Sequence, residues 1–441
     1  MSSSNTKIPI HGLLNSNTDL MNPYPPSPHD SAISVNTIPA KVEPAHPPFP
    51  PAFAEPQSQP EPSTSKTSKR NSTSPKSSPP RASTVPPSDF STQTESSSAL
   101  EQAQEGIEID DAAPSSPYPP TDDGYETDSL ASASTSLASS VRNYAFENGR
   151  RYHKFREGSY NFPNDDSEQD REDMKHAMMV NLLGGKLHFA PIDEGKGGMN
   201  GKEVLDMGTG TGIWAIEMGD LYPGANILGV DLSPIQPEWV PPNVKFMVDD
   251  VESPWLKPRD YFDYVHARHT VMAIRNWPLL MSRVLDHLKP GGWFELQEIH
   301  HYPQCHDSSM PPDYAVAQYW GLIIEALGNL GVNFNATLLL ENTMRAAGFI
   351  NVSTRVFHVP IGTWPKNKVL KMVGLYWRTI LIDGLQPIAL GPLTRGLKWT
   401  KEQVDVWLVE VRKSYMEGAV HSHMPCYVIC GQKPEGPRTE G

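Results

Sequence analysis

The run Val204-Leu-Asp-Met-Gly-Thr-Gly-Thr-Gly212 constrains this chain more than any other stretch of it. An apolar segment stops at a turn holding three glycines, and a helical pattern leaves that turn. Gly208 and Gly210 let the backbone turn tightly and pass close to a ligand. Gly212 opens the helix, where unpaired N–H groups face whatever sits on the turn. Such a turn belongs at the carboxyl edge of a parallel sheet, the edge at which open α/β sheets bind ligands.

The residues around it alternate strand and helix. The pattern predicts strands at Glu203–Asp206, Asn226–Asp231, Val244–Val248, Phe262–Ala267 and Trp293–Ile299. Helices fall at Gly212–Leu221 and Trp277–Leu288, the second stopped by Lys289-Pro290-Gly291-Gly292. This is an α/β chain with a doubly wound sheet covered on both faces. A helix at Leu338–Ala347 and strands at Val352–Val359 and Cys426–Gln432 follow. Two helical insertions, Tyr314–Leu330 and Lys366–Glu417, carry apolar stripes, the second behind a capping box at Thr400-x-x-Gln403. The stripes read as packing surfaces and as candidate walls of an acceptor pocket. Ahead of the sheet, Asn164 precedes Asp165, Asp166 and Glu168, with Lys175 and His176 later. That order predicts a helix over about Asp165–Leu183 with an amide cap.

The ligand follows from the acids. A dinucleotide turn is Gly-x-Gly-x-x-Gly; here the spacing is Gly-x-Gly-x-Gly with Asp206 just before it. A carboxylate ~5.5 Å from a phosphate charge costs roughly 3 kcal/mol at an effective dielectric near 20. That is about a hundredfold in affinity. S-adenosylmethionine carries a sulfonium and an ammonium but no phosphate, so an acid there attracts it. A phosphate-binding loop is excluded because no Gly-Lys-Ser/Thr follows. Asp231 ends the second strand, where an acid can accept from both ribose hydroxyls. Asp249 and Asp250 end the third, where a carboxylate can take the adenine amino group. The expected cofactor site is therefore Asp206, Gly208, Gly210, Gly212, Asp231, Asp249 and Asp250.

Beyond these motifs the chain resembles a known family. Asp206–Gly212, the run Asp231-Leu-Ser-Pro-Ile-Gln-Pro-Glu-Trp-Val-Pro-Pro-Asn-Val244 and Leu288-Lys-Pro-Gly-Gly-Trp-Phe-Glu-Leu-Gln297 look like the fungal LaeA-like methyltransferases. Glu147-Asn-Gly-Arg-Arg-Tyr-His153 and Phe162-Pro-Asn-Asp-Asp-Ser-Glu-Gln169 also match their N-terminal segment. The resemblance spans about Val141–Pro434. It implies a seven-stranded, Rossmann-like class I methyltransferase fold and a filamentous fungal source. It further implies a regulatory role in secondary metabolism and development, with velvet-type proteins as partners.

Composition sets the domain plan. The first 140 residues are crowded with Pro, Ser and Thr and hold no sustained apolar period, so residues 1–140 are expected to be a disordered tail. Residues 141–200 then form an aromatic and helical segment, and residues 201–434 the methyltransferase domain. Within Tyr144–Tyr160 the aromatics either pack on the sheet edge or fold over the cofactor as a lid. The tail holds Ser-Pro dipeptides at Ser27, Ser74, Ser78 and Ser116, and a loose basic cluster over Lys66–Arg81 that is either an import signal or a solvated linker. Of the net charge of −14, the tail carries −9, from 7 Lys and Arg against 16 Asp and Glu; the remaining −5 gives no general attraction to nucleic acid. No apolar run reaches the 18 or so residues of a membrane span, and Met1–Leu14 has no signal-peptide core. Three cysteines, Cys305, Cys426 and Cys430, fit a reducing compartment. The expected location is nucleus and cytoplasm.

The methyl acceptor is less constrained. His269, just after the fourth strand, is the candidate catalytic base, with a structural histidine as the other reading; Arg268 is expected to pair with Asp231 or another carboxylate. His300, His301, Cys305 and His306 lack zinc spacing, so no metal is expected. Cys426 and Cys430, ~13 Å apart along a strand, cannot bridge. The same motifs serve a protein-methylating regulator, a small-molecule O- or N-methyltransferase, and a cofactor-sensing scaffold that does not methylate.

Overall fold

The computed structural model describes residues 90–111, 144–147, 149–156, 160–194 and 197–436. Helix α1 (Phe90–Glu105) and the hairpin of β1 (Tyr144–Glu147) and β2 (Arg150–His153) come first, then helix α2 (Asp166–Leu182). The sheet follows as β3 (Glu203–Met207), α3 (Ile213–Leu221), β4 (Asn226–Asp231), β5 (Val244–Val248), β6 (Phe262–Arg268), α4 (Trp277–His287), β7 (Leu288–Ile299) and β8 (Gln304–Cys305). The chain continues through α5 (Ala315–Asn329), α6 (Leu340–Ala346), β9 (Ile350–Pro360), α7 (Lys368–Asp383), α8 (Leu385–Gly396), α9 (Lys401–Met416) and β10 (Ser422–Gln432).

Strands β5, β4, β3, β6 and β7 lie side by side and parallel. Strand β10 runs antiparallel between β7 and β9, and the two-residue β8 pairs with its start. The strand order steps outward on both sides of β3, so β3 and β6 meet at the switch point and their carboxyl ends leave a crevice. Seven long strands make the class I sheet. Val204, Leu205, Met207, Val265, Phe294 and Leu296 are buried within it, as expected of strands covered on both faces.

The insertion helices form their own layer: α5 and α9 both pack on α8, and α7 packs on α2. Trp320 Nε1 donates to Tyr415 OH at 2.9 Å, joining α5 to α9. Val316, Trp320, Ile323 and Leu327 on α5 are buried, as are Val404, Leu408, Val411 and Tyr415 on α9, and the Thr400–Gln403 capping box is present. Among the described residues no single helix is long and apolar enough to cross a membrane.

Four local expectations change. The cap of α2 is Asp165, whose side chain accepts from Glu168 N, and not Asn164. Asp165 also takes two hydrogen bonds from Arg150, at 2.5 and 2.7 Å, which a carboxylate can do and an amide cannot. Strand β7 begins at Leu288 because the Pro-Gly-Gly stretch is taken up as an irregularity in the β6–β7 register. A Cβ on Gly292 would sit 3.0 Å from Asp263 O, so glycine allows that close approach. The helix expected at Leu338–Ala347 is a 3-10 turn, Phe334–Leu339, running into α6. Part of the expected disordered tail is ordered: α1 packs on β9 and α7, with Ala99 and Ala103 fully buried and Ile107 packed beside them. The two buried positions within α1 are alanines inside polar sequence, so they give no apolar period strong enough to see. The Ser-Pro dipeptides and the basic cluster lie outside the described residues.

Candidate functional site

Three left-handed residues build the floor of the crevice: φ is 67° at Gly208, 57° at Gly210 and 83° at Gly212. A side chain at Gly208 would place Cβ 2.9 Å from Thr270 Cγ2, and one at Gly212 would collide with the Phe246 ring. At Gly210 a Cβ would meet nothing within 4 Å; that peptide faces open space. The turn keeps its donors to itself. Gly208 N and Thr209 N donate to Val230 O at 2.8 and 3.0 Å, Gly210 N to Asp231 Oδ2 at 2.9 Å, and Gly212 N to Thr209 O at 2.9 Å. Gly212 N itself is therefore occupied, and the N–H groups left to face a ligand are those of the first turn of α3. With four of its N–H groups already bonded, the turn offers little of the cradle a diphosphate depends on.

Above the floor lies a cleft of about 1210 Å³, its open mouth included, running past Asp231, Asp249, Asp250, His269, Thr270 and Tyr160. Asp231 holds two backbone donors, Gly210 N and Ser233 N, one on each oxygen. Burial pushes its carboxyl above the usual range, against those two hydrogen bonds. Each oxygen keeps a lone pair for a neighbouring diol. Asp249 Oδ1 accepts from Asp250 N at 2.8 Å, and Asp250 accepts from Glu252 N and Ser253 Oγ. Val251, Leu232 and Ile274 supply apolar wall beside them. The residues present suit an adenosine without phosphates: carboxylates for the ribose and the base edge, apolar faces between them, and a glycine turn with most of its N–H groups already bonded.

Asp206 is placed differently from its neighbours. It is buried, with Oδ1 2.8 Å from His266 Nδ1 and Oδ2 accepting from Thr209 Oγ1 at 2.6 Å. The His266 ring stacks on Trp214 with centroids 3.7 Å apart. Asp206 thus braces the turn from behind and lines a smaller cavity continuous with the cleft through Gly208, Gly210 and His269.

The opposite wall is α2, where sequence reasoning missed the important face. Glu168, Glu172 and Lys175 line the cleft, and Arg171 sits among them. Arg171 pairs with both Glu168 and Glu172, and Lys175 Nζ lies 2.6 Å from Glu172 Oε2. Burial pushes Glu172 up, but Lys175 and Arg171 hold it below its ordinary value, so it stays ionised. Glu168, Glu172 and Lys175 sit at i, i+4 and i+7, in line with buried Met179 and Leu182. Charge running into an apolar stripe on one helix face was the available signal. Arg268 does not pair with Asp231. Its Nη2 lies 2.7 Å from His176 Nδ1, and His176 Nε2 is 2.9 Å from Glu217.

His269 lines both cavities, and neither ring nitrogen has a hydrogen-bond partner. Its backbone is left-handed, φ 56°, in a residue type that pays for that conformation. Burial, then the charges of Lys175 and Arg268, depress its basicity well below the ordinary histidine value. Beside it, Glu298 accepts from Thr270 N, Thr270 Oγ1 and Val271 N, fixing the loop that forms the cleft wall. Burial pushes Glu298 up to about 7 despite those bonds. Next to the cleft, sharing Lys175 with it, is a cavity lined by Phe162, Met272, His301, Trp320, Phe334 and Trp377. The α5 stripe therefore packs and walls a cavity at once, through Trp320. The N-terminal segment contributes Tyr160, whose hydroxyl lies 3.7 Å from Met272 Sδ.

Comparison with known proteins places the chain. A methyltransferase domain model matches residues 174–354. Methyltransferase pytC of Aspergillus terreus is 41% identical over 329 residues, 74% of this chain and 96% of that protein. Secondary metabolism regulator LAE1 of Cochliobolus heterostrophus is 36% identical over 66% of this chain and 94% of its own length. Protein-methionine methyltransferase laeA of Emericella nidulans is 31% identical over 65% of this chain and 76% of its own. A solved phosphoethanolamine N-methyltransferase 2 of Haemonchus contortus with S-adenosyl-L-methionine overlaps 60% of this chain and 53% of its own, at 18% identity and a TM-score of 0.34. An overlap that loose carries no argument about ligand or acceptor.

Proposed function

The chain belongs to the LaeA-like family of S-adenosylmethionine-dependent methyltransferases, and on that premise we propose that it methylates a protein acceptor as a regulator of secondary metabolism. When bound, the cofactor supplies a methyl group made electrophilic by its sulfonium. Asp231 would hold the ribose, Asp249 or Asp250 the adenine amino group, and the open face at Gly210 would admit the chain linking them to the amino-acid end. Asp206 would supply negative charge toward the sulfonium and ammonium of the cofactor.

The observation that carries the acceptor reading is His269. An imidazole flanked by Lys175 and Arg268, with its basicity far below normal, is a poor proton acceptor. The site therefore suits an acceptor that is already a nucleophile and only needs positioning, such as a thioether. One relative is named a protein-methionine methyltransferase, which supports that class. The second reading is a small-molecule acceptor held in the same cleft; the 41% identical relative, named a methyltransferase and not a regulator, is compatible with it. We place the protein in the nucleus and cytoplasm beside velvet-type partners, on the strength of the resemblance in Glu147–His153, Phe162–Gln169 and Asp231–Val244.

The test is radiolabelled methyl donor offered with nuclear extract and, separately, with metabolite extract of the same cells. Label on a protein band that maps to a methionine, as its S-methyl sulfonium, supports the reading. Label only in the metabolite fraction replaces it with the second one. Label in neither, with cofactor binding intact, makes the chain a cofactor-sensing scaffold.

A further inference from the structure

Far along the sheet from the cleft, three histidines from separate segments meet. His306 follows β8, His358 lies on β9 and His423 on β10, and each offers a ring nitrogen within 4.8 Å of the other two. The register explains the meeting. His423 pairs with Pro360 and His358 with Pro425, so the two histidines sit diagonally on one face of the β9–β10 ladder. β8 pairs with the start of β10 and delivers His306 beside them. Ring centroids are 4.3 to 5.0 Å apart.

Packed imidazoles normally hydrogen-bond to something. Here His358 Nδ1 and His423 Nε2 are buried with no partner, and His423 is only 2% exposed. The His358 ring also faces the Ala103 backbone of α1. Fixing one imidazole nitrogen on a carbonyl while the other stays open is the arrangement that orients a metal-binding histidine. The surrounding cavity holds Asp307 and His421, joined at 2.7 Å. Cys305 Sγ lies 2.9 Å from Asp307, so the thiol is engaged away from the three rings.

We infer that His306, His358 and His423 bind one divalent transition metal ion of the zinc type. Three neutral imidazoles with no carboxylate among them suit Zn²⁺ and its late first-row neighbours and not Mg²⁺ or Ca²⁺, which need oxygen ligands. Zn–N bonds of about 2.0–2.1 Å bring tetrahedral ligand atoms to about 3.3 Å apart, so the rings must close by roughly an ångström and a half. His306 is exposed on a loop and can supply that movement. Water or Asp307 takes the fourth position. Because His358 lies against Ala103 of α1, the ion would clamp three strand ends beneath that helix.

The full-length chain, treated with EDTA and dialysed, is titrated with Zn²⁺ against a chromophoric chelator and separately with Co²⁺. The expected result is one equivalent bound, with Co²⁺ giving the intense visible bands of a four-coordinate site. His306→Gln, at an exposed position, lowers affinity at least about tenfold, and Cys305→Ser leaves the bands unchanged. Cofactor affinity of His306→Gln equal to wild type shows that the variant is folded. Failure of wild type to bind either ion, or unchanged affinity in both His306→Gln and His358→Gln, overturns the site.

Discussion

The floor of the cleft comes from one short stretch, Asp206–Gly212, whereas its far wall comes from α2, ahead of that stretch, and from the loop after β6. On the floor four N–H groups and both oxygens of Asp206 are bonded: Val230 O, Asp231, Thr209 and His266 hold the turn. On the wall, charges are buried in pairs and His269 has no partner at all. A partnered, glycine-built floor is preorganised for one ligand. A wall with an unpartnered ring leaves its complement to be supplied by the acceptor.

Changes to the floor should be the most damaging. Gly212→Ala forces a left-handed φ on alanine and drives Cβ into Phe246; cofactor affinity should fall about a hundredfold or more. Calorimetry that finds it within threefold of wild type breaks the comparison. Asp231→Ala removes the diol acceptor and the anchors of Gly210 and Ser233, and should cost affinity on the order of tens of fold. Deleting Val141–Phe162, which takes Tyr160 from the cleft, should weaken the cofactor about tenfold if the segment is a lid. Unchanged affinity makes it an edge packing element.

The wall should respond in a different currency. His269→Ala should lower kcat less than about tenfold with cofactor affinity and pH profile unchanged; a fall of a hundredfold or more would restore His269 as a general base. The smallest effect is on stability. Glu298 is raised in the fold, so its protonated form is the one the native state favours. Its contribution is complete below about pH 4 and is lost as pH rises through about 7. The Tm of wild type relative to Glu298→Gln should therefore fall by a few degrees between those values and level off above. A difference that grows with pH would mean the carboxylate is held ionised.

Much of this was legible from residues alone. Strands β4 and β5 lie where the alternation put them, and Asp231, Asp249 and Asp250 share one cleft because each ends a strand at the same sheet edge. Strand period and glycine conformational freedom are local properties, so local sequence carries them. Asp206 was legible as an acid at the turn, but its engagement with His266, on a different strand, was not. The buried ion pairs of α2 escaped because charge is ordinarily read as exposed face, and only the packing of α7 and the cleft shows otherwise. α1 escaped because two alanines among Ser, Thr, Gln and Glu make too weak an apolar signal, and only the packing of β9 and α7 shows them buried.

What the sequence determined by itself is the doubly wound sheet, the glycine turn and the identity of the methyl donor, since these depend on neighbours within a few residues. Tertiary structure alone decided that the turn keeps its own N–H groups, that Arg268 turns to His176, and that His306, His358 and His423 converge. Those outcomes depend on strand order and register, which bring together residues separated by 52 and 65 positions, and no local spacing records them.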